Sequence, residues 1–107
     1  MNLNIEQEVI ICSAIWYKEM PTAVYRPTNV DVGTVVCGHR HMHCVHAFVA
    51  LTGKRSVETE AGKYTQGFLT NKNRFVDRIE GAKIALAAGQ VDKLEFSRDR
   101  LYSEDLY

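Results

Sequence analysis

The chain lacks a net charge, a long apolar run and a second cluster of metal-ligating residues, and each absence removes a class of function. Lys plus Arg number 13 and Asp plus Glu number 13, so no global positive field exists for duplex nucleic acid, and any anion site has to be built locally. No apolar stretch approaches the roughly 18 to 20 residues of a membrane span, so no membrane partner is expected. No N-terminal basic segment precedes an apolar run, and the three cysteines, Cys12, Cys37 and Cys44, are odd in number. A cytoplasmic chain with reduced thiols is expected. Repeats and low-complexity tracts are also missing. A length of 107 residues, 46% hydrophobic and 24% charged, reads as one globular domain over 1–107 with no linker.

What is there is concentrated in QGFLTNKNRFVDRIEGAKIALAAGQV, residues 66–91. Gln66 to Thr70 and Arg74 to Val76 are short β-forming runs separated by Asn71, Lys72 and Asn73, which favour a turn, so a β-hairpin is predicted. Asp77 and Glu80 have capping-box spacing and predict a helix start. Ile79, Ala82, Ile84 and Leu86 give a narrow apolar stripe on an alanine body that can pack close to its partner, and Gly89 supplies a left-handed stop. At the junction, Thr70, Asn71, Asn73, Arg74 and Arg78 crowd donors and positive charge around a helix N-terminus, where phosphate is favoured. The competing reading makes Asn71 and Asn73 turn formers, with Arg74 and Arg78 solvated or paired with Asp77 and Glu80.

Upstream, Glu8 to Tyr17 reads as a largely buried central strand, with Trp16 and Tyr17 pointing to opposite faces. Thr22 to Arg26 reads as a short strand broken by Pro27, and a further strand is predicted over 30–37 with Gly33 as a bulge. Cys44, Ala47, Phe48 and Leu51 recur at helical spacing before Gly53, and 54–63 reads as a polar loop. In the tail, Leu94, Phe96, Leu101, Tyr102, Leu106 and Tyr107 are anchors for the chain's own domain or for a neighbouring subunit. The expected architecture is α+β: a small antiparallel sheet of strands near 8–17, 30–37, 66–70 and 74–76, covered on one face by two helices near 40–52 and 77–89. The other face is left to pair with a second subunit, so a homo-oligomer, at least a dimer, is expected.

All four histidines, His39, His41, His43 and His46, fall in CGHRHMHCVH, beside Cys37 and Cys44. Zinc sites generally join two separated ligand pairs, and no second pair exists, so no metal is assigned. Instead Arg40 and His41 fall at the start of the first helix, a second anion-favouring end. An enzymatic reading, a nucleotide hydrolase using His41 with Asp77 or Glu80, finds no nucleophile, base and orienting acid in a recognisable motif. Accordingly, no catalytic residue and no cofactor are assigned.

Read together, AIWY, VVCGHRHMHCV, QGFLTNKNRFVDRIEGAKIALAAGQ and LYSEDLY resemble the phage anti-Thoeris family called Thoeris anti-defence protein 1. The resemblance implies a sponge, not an enzyme, that sequesters a cyclic ADP-ribose isomer in the cytoplasm of the infected bacterial host. It also implies homo-oligomers, from dimers up to hexamers, with pockets at subunit interfaces, and for some members the binding of cyclic oligonucleotides. The residues offer compatible parts: two helix N-termini for a pyrophosphate, arginines including Arg26 and Arg100 for its charge, and Trp16, Phe68 or Phe75 for an adenine face.

Overall fold

The β-branched and aromatic run IICSAIWY forms the strand on which the sheet is assembled. In a computed structural model describing residues 6–54 and 64–107, this strand, β1 (Ile10–Tyr17), lies between β2 (Thr34–Gly38) and β3 (Tyr64–Thr70), with β4 (Phe75–Asp77) outside β3. All three pairings are antiparallel. Since β2 and β3 both oppose β1, they run parallel to each other, and α1 (His41–Thr52) carries the chain between them. The hairpin of β3 and β4 leads directly into α2 (Arg78–Ala87), and a short α3 (Ser103–Leu106) lies in the tail. The fold class is α+β.

The register decides which side chains share a face. Ser13 opposes Phe68 and Ile15 opposes Gln66, so these residues and Tyr17 point the same way. Cys44 and Phe48 of α1 pack on Ile15 and Tyr17, the Tyr17 and Phe48 rings stacked at 3.9 Å. On the same face Ala82, Ile84 and Ala85 of α2 pack on Ile10, Phe68 and Val76. Both helices therefore cover one side, as the apolar stripes predict. The small-residue body of α2 has its use here: a Cβ on Gly81 would lie 3.0 Å from the Phe68 ring. At Gly67, on the sheet itself, a Cβ would fall 2.0 Å from the Val76 carbonyl oxygen and 2.8 Å from Phe75 Cζ, so no larger residue fits.

Part of the opposite face is covered by the chain itself. The segment after β1 folds back across it and inserts Val30 beside Ala14 and Phe75, flanked by Trp16, Val35 and Leu69. Thr22 to Arg26, expected as a strand, is irregular. Its Arg26 donates to the carbonyl oxygens of Val30 at 2.7 Å and Ala23 at 3.0 Å, holding the segment as a loop. The following strand starts at Thr34, not at Val30, because Gly33 takes φ +82 and ends the loop. The register shift sits instead in β1, between Ile10 and Cys12. The predicted loop at 54–63 lies, beyond Lys54, outside the described residues.

The two sheet edges differ. Asn29 pairs with β4 as a strand would, accepting from Phe75 N at 2.8 Å and donating to Phe75 O at 2.7 Å. The outer edge of β2 has no strand neighbour among the described residues.

The tail packs on its own domain. Val91 and Leu101 are buried in the α2 cluster, with Leu94 and Leu106 against it. Leu101 N donates to Arg78 O at 2.9 Å. One turn of helix after Tyr102, not expected from the sequence, is fixed by Asp105, which accepts from Tyr102 N and Glu95 N, both at 2.9 Å. Leu101→Ala should therefore destabilise the monomer by about 2 to 5 kcal/mol, as loss of a fully buried leucine does. Urea denaturation checks this, and an unchanged midpoint would show that the tail is not part of the core.

Candidate functional site

The hairpin turn is built as predicted, with Asn73 in the left-handed region at φ 57. Its polar side chains are largely committed to the segment before β1. Asn71 accepts from Val9 N at 2.8 Å and donates to Gln7 O at 3.0 Å. Thr70 is buried and donates to Glu8 Oε2 at 2.6 Å. Arg74 clasps the same carboxylate with a fork, Nε to Oε2 and Nη2 to Oε1, both 2.8 Å, and lies 3.7 Å from Glu80. That fork, helped by the Thr70 hydroxyl and opposed by partial burial, brings Glu8 from 4.5 down to about 2. The Asn73 side chain makes one long contact, 3.5 Å to Arg26 O, while its main-chain oxygen accepts from Thr28 N at 2.8 Å.

The start of α1 is also closed. Arg40 donates to the main-chain oxygen of Tyr107 and approaches Glu104 at 4.0 Å. Its own amide donates to His43 Nδ1 at 3.1 Å, which gives His43 a capping role. His41 sits in the first turn, as predicted, but it is buried, and Nε2 donates to Gly67 O at 2.8 Å. Burial pulls its pKa below the usual histidine value, against the pull of that carbonyl and with the nearby Arg78 adding to the fall.

The aromatic candidates serve the interior. Phe68 is fully buried and meets the edge of His41 at 5.1 Å, and Phe75 is 6% exposed. Trp16 is half-buried, edge-on to Phe75 at 5.8 Å, with Nε1 donating to Val32 O at 2.7 Å. None of the three rings presents an open face comparable to that of Tyr25, 95% exposed.

Two sequence candidates do converge. Arg78 and Arg100 line a cavity of about 210 Å³ at the N-terminus of α2, together with Gln66, Asp77 and Ile79. Arg78 is held rigidly: Nη1 donates to Leu101 O at 2.9 Å, Nη2 to Gln66 Oε1 at 2.6 Å, and the guanidinium lies 4.4 Å from the centre of the Tyr102 ring. Burial lowers its pKa from the usual arginine value and Arg100 lowers it further, while Tyr102 and Glu104 oppose the fall. The Arg100 side chain has no hydrogen-bond or ion-pair partner among the described residues. Asp77 spends one oxygen capping α2, accepting from Glu80 N at 2.8 Å. Two guanidinium groups beside one capping carboxylate, at the positive end of a helix, leave a locus of net positive charge. Its volume suits a phosphate or pyrophosphate, below the roughly 300 Å³ at which sites for larger ligands begin.

A second concavity of about 310 Å³ opens on the other sheet face between Tyr25, Arg26, Val35, Cys37, Leu69 and Asn73. It brings Arg26 and Asn73 together, though Arg26 is already tied into its loop. Gln66 and Tyr102 are the site residues that sequence reading passed over, Gln66 as a strand start and Tyr102 as a tail anchor. Their signal was weak, since only the fold brings them to Arg78. Among the described residues no three His, Cys, Asp or Glu side chains cluster closely enough to hold a metal ion. Among the described residues no helix is long and apolar enough to cross a membrane.

The Glu8 pairing gives a pH prediction. A carboxylate whose folded pKa lies near 2 and unfolded value near 4.5 stabilises the fold fully above about pH 5, and that contribution fades as pH falls towards 2. Discounted for the partial exposure of Arg74, it amounts to about 1 to 2 kcal/mol. Glu8→Gln should lower stability by that amount at pH 7, with the gap to the parent narrowing below pH 4. Melting curves at the two pH values check it.

Residues 9–107 match the family model described as phage T4 y16D protein. No curated protein and no solved structure matches the chain.

Proposed function

The chain belongs to the phage T4 y16D protein family, and we propose that it is a binding protein that captures a small cyclic nucleotide signal of the cyclic ADP-ribose type and holds it unaltered. The observation that carries this reading is the cavity at the start of α2. There an anchored guanidinium, Arg78, and an unpartnered one, Arg100, share a wall with the Gln66 amide. A phosphate entering it would replace water around Arg100 and relieve the repulsion between the two cations. The anti-Thoeris resemblance supplies the ligand class, and membership of a phage family accords with a role in the cytoplasm of an infected host.

Sequestration fits these side chains better than turnover. His41, the base that a hydrolase would need, is buried with its Nε2 proton on Gly67 O, Asp77 caps a helix, and Glu80 faces Arg74. The cavity takes the charged part of a cyclic nucleotide and leaves its bases outside. A second copy of the chain covering them accounts for the homo-oligomer that the resemblance implies.

Among the arginines, this reading gives the phosphate contact to Arg100 and Arg78, and a structural task to Arg74, which is paired with Glu8. Arg100→Ala should weaken binding of a cyclic ADP-ribose isomer about ten- to a hundred-fold without moving the melting temperature of the free protein. Arg74→Ala should instead lower stability and leave affinity within a few-fold. Titration calorimetry beside melting curves separates the two. Unchanged affinity in Arg100→Ala would remove the cavity as phosphate site, and recovery of a chemically altered ligand after denaturing the complex would make the protein an enzyme.

A further inference from the structure

The three cysteines separate into a pair and a single residue. Ala14 opposes Cys37 and Ser13 opposes Gly38, so Cys12 and Cys37 are diagonal neighbours on adjacent strands. Both lie on the face away from the helices, Cys37 exposed and Cys12 half-buried, with Cys37 lining the concavity on that side. Cys44 lies on the helix face, buried, its Sγ 3.6 Å from Ser13 O.

We propose that Cys12 and Cys37 form a redox-reactive dithiol site that exchanges with low-molecular-weight disulfides of the glutathione-disulfide class and closes to an intramolecular bond. In the first step the Cys12 thiolate attacks one sulfur of the small disulfide. A mixed disulfide forms on Cys12, and one thiolate leaves and takes up a proton. In the second step Cys37, giving up its proton, attacks the Cys12 sulfur, and the second small thiolate leaves and is protonated. The protein is oxidised by two electrons, and one small disulfide is reduced to two thiols.

The order of attack follows from the environment of each sulfur. The Cys37 thiol and the Gly38 main chain stabilise the Cys12 thiolate and bring its pKa to about 7, whereas Cys37, facing that thiolate, is pushed up. Burial holds Cys44 at about 11 and keeps it out of the exchange. A low-pKa, partly accessible thiolate poised beside a second thiol is the arrangement of an attacking and a resolving cysteine, and the exposure of Cys37 leaves it free to turn onto the mixed disulfide. A diagonal pair spans more than the usual disulfide separation, so closing it requires the strands to shift. The register shift between Ile10 and Cys12, and the position of Cys37 near the end of an edge strand, are where that movement is easiest. The bond is accordingly strained, readily reduced, and suited to reversible use.

The test uses the full chain with oxidised glutathione at pH 7, read by intact mass and peptide mapping, and iodoacetamide labelling from pH 5 to 9. The parent should lose two hydrogens and yield a linked Cys12–Cys37 peptide. Cys12 should be alkylated roughly ten-fold faster than Cys37 at pH 7. Cys37→Ser should stop at the glutathione adduct on Cys12, and Cys12→Ser, which removes the thiolate that faces Cys37, should stop at an adduct on Cys37, neither variant yielding a linked peptide. Protection of Cys44 from alkylation in each variant reports that it is folded. A parent that ends as mixed disulfides with no linked peptide, or in which Cys37 is labelled ahead of Cys12, would overturn the assignment.

Discussion

The Arg78 guanidinium holds together the parts of the molecule that meet at the cavity. Removed from water, its donors need fixed acceptors, and it finds them in Gln66 of β3 and the Leu101 carbonyl of the tail, with the Tyr102 ring against its face. Main-chain pairing of Leu101 N with Arg78 O closes the same junction from the other side. One residue at the start of α2 thus determines where the tail lies, which brings Arg100 next to it and shapes the cavity wall. The cation is also immobilised before any ligand arrives, so little rotamer entropy is lost when an anion binds.

Local signals were the legible ones. The Asn71 to Asn73 turn and the Asp77 cap each act over two or three residues, and the hairpin and α2 stand where these place them. Periodicity located α1, and the β-branched run located β1. The failures were cases where distant chain decides. Thr22 to Arg26 has strand-forming residues, yet Val24 and Tyr25 are 86% and 95% exposed and no strand among the described residues pairs with them, so intrinsic preference alone formed nothing.

The candidate site was legible in part and for the same reason. Positive charge at the α2 N-terminus could be read directly, since Arg78 stands beside its cap. What each arginine does could not, because Arg74 meets Glu8 across 66 residues and Arg78 meets Leu101 across 23. The Phe68 ring, suggested as an adenine platform, is a core residue because its register partner Ser13 faces the helices. In an amphipathic strand, a one-residue change of face decides whether an aromatic ring is a wall or a surface.

The unequal sheet edges limit how copies of this chain can join. A sheet with two open edges can add strands indefinitely and so polymerise. Here Asn29 already occupies the hydrogen-bonding groups of Phe75 on the outer side of β4, much as a terminating group ends a polymer chain. Among the described residues only the β2 edge is left to recruit a strand, and two such edges brought together would consume each other. Growth by strand addition through the described edges would therefore stop at a pair, and a larger assembly would use surfaces other than the backbone of these strands.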